Sequence, residues 1–448
     1  MNLNEIKELL FSIIESHSSE QFEELIYQQH AVDVALAMDE MDDDEILSLL
    51  KLLNPNTIAL IIEESEESLQ TRIIEMLDTS ILIKTFSYMS PDDITDIMGL
   101  LTIDHRKDLL GRMRQKDSTE IQMLLGFEPD TAGGIMTTQY IALKSNLSTK
   151  EALQKIKDIG PKTEVIEKIF VTNHNNELIG FADLRDILSS SDDITLSEIM
   201  DENILFVYPD ADQEEVSLIV SKYDLKVLPV VNKRNIILGI ITPDDVIDVI
   251  VEEHTEDILM LSGVNKDEQV GSKVSVSVTR RLPWLFINLA TAFLASFTVG
   301  LFEDVIVQVV ALAAAMPIVA GMGGNAGTQT LSIVIRGIAL GEIDIREDWK
   351  YVFNEISLGF INGATTGLIT GLILYIKYNN LFLGLIIFAA MIGNLIIAGF
   401  FGFMIPLILK KFNLDPAVSS SIFLTTATDV GGFFIFLGLA KMFLPYLL

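Results

Sequence analysis

The chain contains no cysteine, which removes disulfides, thiolate zinc sites and iron–sulfur clusters from consideration. Histidine is scarce, with five in 448 residues, and none sits at a zinc-binding spacing. Basic charge is lacking from the first 279 residues: they hold 22 Lys and Arg against 54 Asp and Glu. The remainder holds 9 of each, so the whole formal net charge of −32 belongs to the N-terminal part. Such a surface repels nucleic acid and anionic head groups and concentrates cations, which makes metal ions the natural partners. No run of G-x-x-x-x-G-K followed by Ser or Thr occurs, so no P-loop ATPase is expected, and the chain is read as a non-enzyme.

The opening MNLNEIKELLFSIIESHSSE lacks a basic n-region and a small-residue cleavage site. No secretory signal is therefore expected, and the acidic half is expected to stay in the cytoplasm. From Met1 to about Glu128 apolar residues recur at helical spacing, as in Val34, Leu36, Met38, Met41, Ile46, Leu49, Leu50 and Leu53, with NPNT and SPDD as turns between stacked helices. Residues 1–130 are thus read as an acidic all-α domain. From Met136 to Val251 a repeat of about 60 residues begins with IMTTQYIALKSN and again with IMDENILFVYPD. Each copy predicts a β-α-β-β-α unit, and the two are assigned to 131–199 and 200–250. An acidic connecting helix is placed at 251–279 and a transmembrane domain at 280–448.

A mean hydropathy of +0.40 over this length demands lipid-embedded segments. Uncharged stretches near 282–302, 305–335, 356–376, 378–409 and 417–440 predict five spans. With a cytoplasmic N-terminus the inside flanks carry Arg280, Arg281, Arg336, Arg346, Lys350, Lys410 and Lys411, and the outside flanks only Lys377 and Lys441. That bias agrees with the positive-inside rule for a multi-pass protein of a bacterial plasma (inner) membrane.

Asp429 lies within the last span, where a lipid-facing carboxylate costs at least ~2.5 kcal/mol, so it is expected to face a pore or a partner. The alternative is a structural Asp bonded to Thr425, Thr426 or Thr428. Asp415 would sit about 21 Å away on a continuous helix. It reads either as the cytoplasmic mouth of the same ion path or as a helix cap before Pro416. In the second span PIVAGMGGNAGTQT collects small and polar residues that permit close helix packing or a water-filled lumen.

The repeated units resemble a tandem pair of CBS domains. The run Gly239, Ile240, Ile241, Thr242, Pro243, Asp244, Asp245 fits that family's nucleotide-ribose pattern, whereas Asp183 stands where the first unit should carry Ser or Thr. The resemblance thus offers Thr242 and Asp245 as a site for a nucleotide such as ATP, against a plain scaffold role. PIVAGMGGNAGTQ and DPAVSSSIFLTTATDVGG, behind a helical domain and paired CBS units, resemble the MgtE magnesium transporter family over almost the whole chain. One departure is Ser421 and Ile422, where that family has Gly-Pro.

The resemblance implies a homodimer in the bilayer, with the pore between subunits and Asp429 of each chain holding a hydrated Mg²⁺. It also implies regulatory Mg²⁺ sites at Asp92, Asp96, Asp212, Glu214, Asp224, Asp245, Asp248, Glu256 and Asp257, each of which also reads as a solvated surface acid. The function expected is a Mg²⁺-selective, Mg²⁺-gated uptake channel. The alternatives are a secondary-active Mg²⁺/Co²⁺ exchanger and a membrane-anchored CBS sensor that transports nothing.

Overall fold

The computed structural model describes residues 2–448 apart from 161–162, 266–267, 269–272, 344–348, 413 and 418–419. Arg346, among the inside-flank charges, and Val418 and Ser419 of the last-span motif lie outside the described residues. The chain divides into two compact units, Met1–Ile250 and Val251–Leu448.

The first unit opens with ten short helices: α1 (Leu3–Ser16), α2 (Ser19–Gln28), α3 (Ala31–Asp39), α4 (Asp43–Leu50), α5 (Pro55–Glu63), α6 (Glu67–Met76), α7 (Thr79–Phe86), α8 (Pro91–Leu100), α9 (Ile103–Arg112) and α10 (Gln115–Leu124). Their starts are written in the sequence. Asn54 and Ser90 accept hydrogen bonds from the amides of Thr57 and Asp93, and the Pro that follows each occupies the first helical position. NPNT and SPDD are therefore helix N-termini as well as punctuation. One apolar core built around Leu10, Phe22, Met38, Leu49, Ile61 and Phe86 holds the stack together.

The repeat region folds as β1 (Ala142–Lys144), α11 (Thr149–Ile159), β2 (Lys168–Thr172), β3 (Leu178–Asp183) and α12 (Leu184–Ser189). After α13 (Leu196–Ile199) come α14 (Gln213–Tyr223), β4 (Leu228–Val231), β5 (Ile237–Ile241) and α15 (Pro243–Leu261). β1 runs parallel to β2, which pairs antiparallel with β3, and β4 pairs antiparallel with β5. The first strand of the second unit shrinks to a single parallel bridge, Val207 to Val230. The two IM starts play equivalent roles, since Thr137 bridges Ile240 of β5 and Asp201 bridges Phe181 of β3. A Cβ at Gly239 would stand 2.6 Å from the Thr137 carbonyl, and one at Gly180 would stand 2.5 Å from that of Asp201. Backbone approach at this distance requires glycine in both repeats.

The second unit holds the C-terminal end of α15, then α16 (Val274–Gly300), α17 (Glu303–Gln308), α18 (Ala311–Ala339), α19 (Trp349–Tyr378), α20 (Leu381–Lys411), α21 (Ser420–Met442) and α22 (Leu444–Leu447). Four of these, α16, α19, α20 and α21, are long and apolar enough to cross a membrane. The expected second span, 305–335, is interrupted: α17 ends at Gln308 and α18 begins at Ala311. α18 is 29 residues long and carries a run of Gly, Asn, Thr and Gln about its middle. α20 is the most apolar and the most enclosed. α19 lies against it along Gly359, Gly363, Gly367 and Gly371, where an added Cβ would come within 3.0 Å of α20 backbone atoms. Small residues every fourth position let two backbones touch in a medium that offers no hydrophobic drive between helices.

Candidate functional site

Within the first unit the polypeptide brings acids from four distant segments to one recess. α8 begins with Asp92 and Asp93 and carries Asp96 one turn on; α15 begins with Asp244 and Asp245. Glu63 closes α5, and Glu164 follows α11. Acids in a first helical turn are locally favoured by the helix dipole, but two such turns facing each other add repulsion. Loss of hydration and then Asp93 lift Asp92 to about 6, although Thr137 Oγ1 donates a 2.8 Å hydrogen bond to it. Loss of hydration and then Asp92, Asp93 and Asp245 lift Asp96 to about 7, even though its own side chain stays exposed. Glu63 is raised to about 7 by desolvation and then Asp93. Glu164 reaches about 7 by desolvation and then Asp92 and Asp245. Among the described residues no Lys or Arg forms an ion pair with any of these acids. Nor do three carboxylates or His side chains anywhere in them converge tightly enough to hold a bare ion. The recess is thus a concentrated negative field open to water.

The sequence reading named Asp92, Asp96 and Asp245, and it missed Glu63, Asp93, Glu164 and Asp244. The doublets PDD at 91–93 and 243–245 carried a local signal for two of these, whereas Glu63 and Glu164 arrive only through tertiary folding. Asp248 lies exposed one turn beyond Asp245 on α15. Asp212, Glu214 and Asp224 do not gather: Asp212 is the N-cap of α14 and accepts from the Glu214 amide at 2.8 Å, and Asp224 is its left-handed C-cap. Eleven residues of helix set them roughly 16 Å apart.

In the second unit Asp257 is raised to about 6 by desolvation and then by the charge of Asp415, with His254 opposing and Glu256 adding to the rise. Asp415 accepts a 2.7 Å hydrogen bond from the Ala417 amide in a local turn; Pro416 and Ala417 are not helical, so the helix cap weighed for it is not made. Asp415 is not helical either, so Asp415 and Asp429 do not share a continuous helix, and the 21 Å separation expected for one does not apply. Asp429 is half-buried nine residues into α21. Thr425, Thr426 and Thr428 all donate to carbonyls of their own helix, so the structural pairing weighed for Asp429 is not made. No described side chain donates a hydrogen bond to this carboxylate. On α18, Gly321, Asn325, Thr328, Gln329 and Ser332 remain exposed on one side.

A cavity of about 1150 Å³ opens in the repeat region, lined by Lys168, Phe170, Phe181, Asp183, Arg185 and Tyr223 among others. Lys168 Nζ lies 3.4 Å from Asp183 and 3.5 Å from the Phe181 ring centroid. Thr242 and Asp245, the nucleotide candidates, do not line it. Thr242 is buried, and its hydroxyl donates to Asp245 at 2.6 Å.

Three family models match the chain. The MgtE intracellular N domain matches residues 29–130, the CBS domain matches 132–193 and 196–252, and the MgtE divalent cation transporter domain matches 316–439. The magnesium transporter MgtE of Bacillus subtilis (strain 168) is 30% identical over 423 residues, covering 94% of each chain. That of Enterococcus faecalis is 29% identical over 445 residues, or 98% of this chain and 97% of the relative. The crystal structure of the soluble part of a magnesium transporter superposes with a TM-score of 0.52 at 27% identity, over 56% of this chain and 99% of that one. The cytosolic domain of the Mg²⁺ channel MgtE in complex with ATP gives the same score and identity, over 54% and 99%.

Proposed function

This chain belongs to the MgtE family of magnesium transporters, and from that premise we propose that it is a Mg²⁺-selective channel whose opening is governed by Mg²⁺ on its acidic cytoplasmic side. The observation that carries the reading is Asp429, a carboxylate at membrane depth with no hydrogen-bond donor among the described residues. Such a group is costly unless it meets a cation or water. Mg²⁺ gives up its water reluctantly and is typically held through one or two carboxylates with its hydration largely kept. One Asp429 from each of two chains supplies that number, which favours a homodimer with the ion path between subunits. The exposed polar side of α18 has no favourable place against lipid and suits the wall of such a path. The inside-negative potential then drives entry, at about 2.3 kcal/mol per charge per 100 mV, doubled for a divalent ion. Coupled exchange would require a second ion site near mid-membrane. Single-channel recording in symmetric Mg²⁺ tests the channel reading, since discrete unitary currents are expected and their absence alongside saturable uptake would favour an exchanger.

Regulation falls to the carboxylates of the recess and, as a separate group within the second unit, to Asp257 and Asp415. Their mutual repulsion is relieved when hydrated Mg²⁺ enters, so the ion stabilises whichever arrangement gathers them. A nucleotide reading also has a specific support. The cavity beside Lys168 and Arg185 combines cations for phosphate with the exposed ring of Tyr223 for a base, and a solved relative is described in complex with ATP. Titration of the full chain with ATP should show binding that Lys168→Ala weakens and Thr242→Ala leaves unchanged.

A further inference from the structure

Asn394 sits in the middle of α20, fully buried, at a depth where every neighbour is a membrane-domain helix. Its Nδ2 donates a 2.7 Å hydrogen bond to the Val319 carbonyl of α18. A carbonyl can only accept, so the amide orientation is settled by chemistry, and Oδ1 has no partner among the described residues. The amide is wedged between two glycines on two other helices. A Cβ at Gly323 of α18 would stand 2.3 Å from Nδ2, and a Cβ at Gly432 of α21 would stand 2.7 Å from the amide carbon, nitrogen and oxygen alike. Gly432 is three residues beyond Asp429 on the same helix, about 4.5 Å along its axis.

A leucine would fill this space with no buried polar atom, and an amide left half-satisfied in hydrocarbon is a standing penalty. We propose that Asn394 is a positioning residue that sets the spacing between α18 and α21, and so fixes where the Asp429 carboxylate stands in the ion path. The inference rests on the reading of Asp429 as an ion ligand. The hydrogen bond pins the polar stretch of α18, the flat amide sets the distance, and the two glycines supply contact surfaces with no side chain to give way. A branched apolar side chain removes the pin and thickens the spacer, which shifts α21 by an amount that hydrated Mg²⁺ feels and a monovalent ion does not.

The test uses the full-length protein in planar bilayers, with the Mg²⁺-to-Na⁺ permeability ratio taken from reversal potentials and dimer mass and melting temperature recorded alongside. Asn394→Leu and Gly432→Ala are each expected to lower the ratio about tenfold in protein that still forms dimers, the scale on which touching residues couple. The pair Asn394→Ala with Gly432→Ala restores the lost volume from the other side and should return most of the ratio. Should Asn394→Leu not fold, the Asn394→Ala, Gly432→Ala and paired variants carry the test alone. An unchanged ratio in folded single variants, or a paired variant as impaired as the two effects summed, overturns the spacer. Asp429→Ala run in parallel separates the two ideas: an unchanged ratio there removes the ion ligand, whereas loss there without loss at Asn394 removes only the spacer.

Discussion

Asp92 and Asp429 are both partly sheltered carboxylates, yet they sit among opposite neighbours. Asp92 is crowded by its own kind and Asp429 stands alone. Because no other acid lies at that depth of α21, Asp429→Ala is expected to leave a folded dimer that no longer prefers Mg²⁺. Isotope uptake with competing Na⁺ checks this, and unaltered selectivity would sink the assignment. The crowded acids make a different forecast. Asp92 near 6 and Asp96, Glu63 and Glu164 near 7 lie above the roughly 4 of an unfolded chain. Between those values the folded state binds more protons than the unfolded one, so in Mg²⁺-free buffer the stability of the first unit falls as pH rises from about 5 through 7. Hydrogen-exchange protection of α8, corrected for intrinsic rate, should decline over that window. Added Mg²⁺ should flatten the dependence by replacing the proton as the neutralising charge. Protection that rises with pH would reverse the sign of this argument.

Among the elements, the α19–α20 pair depends on the absence of side chains. Gly363→Ala would put a Cβ 2.7 Å from the Ile392 backbone, which cannot rotate away. The expected cost is about 1–3 kcal/mol, read as a lower melting temperature in detergent. Gly438→Ala meets nothing within 4 Å and should leave the melting temperature level or slightly raised. Little of this ladder was legible beforehand, because a hydropathy trace averages over a window and hides glycines spaced by four, and Asn394 carries no charge to attract notice. The legible parts rested on local chemistry: the NPNT and SPDD breaks between helices, the repeated IM starts, and one acid, Asp92 or Asp245, of each pair opening α8 and α15. Glu63 and Glu164 escaped because a solvated acid and a gathered one look alike until the chain folds. The nucleotide pattern at Thr242 and Asp245 was legible as a motif, but its hydroxyl and carboxylate bond to each other, and the open cavity is lined by other residues of both repeats.

At the scale of the molecule, the acidic half is expected to report internal Mg²⁺ to the spans. Moving a gate from mostly open to mostly closed takes about 5.5 kcal/mol of differential binding, which several weak sites can share. Neutralising single acids should therefore shift the closing concentration by degrees, while removing residues 1 to about 260 should give a channel that stays open at high internal Mg²⁺. A truncated channel that closes at the same midpoint would place the sensor elsewhere. Protease resistance of the intact cytoplasmic half should rise with Mg²⁺. The polar run in the middle of α18 bears on how such a molecule comes to exist. A translocon admits a segment to the bilayer on its own apolar merit, and polar residues weigh most against it at the helix centre. α20, the most apolar of the four spans, is apolar but for Asn394 and the lysines at its end, whereas α18 carries Asn325, Thr328, Gln329 and Thr330 around its midpoint. α18 is thus expected to settle in lipid only once later helices cover that stretch. Biogenesis then proceeds out of chain order, with the helix proposed to border the ion path the last to settle.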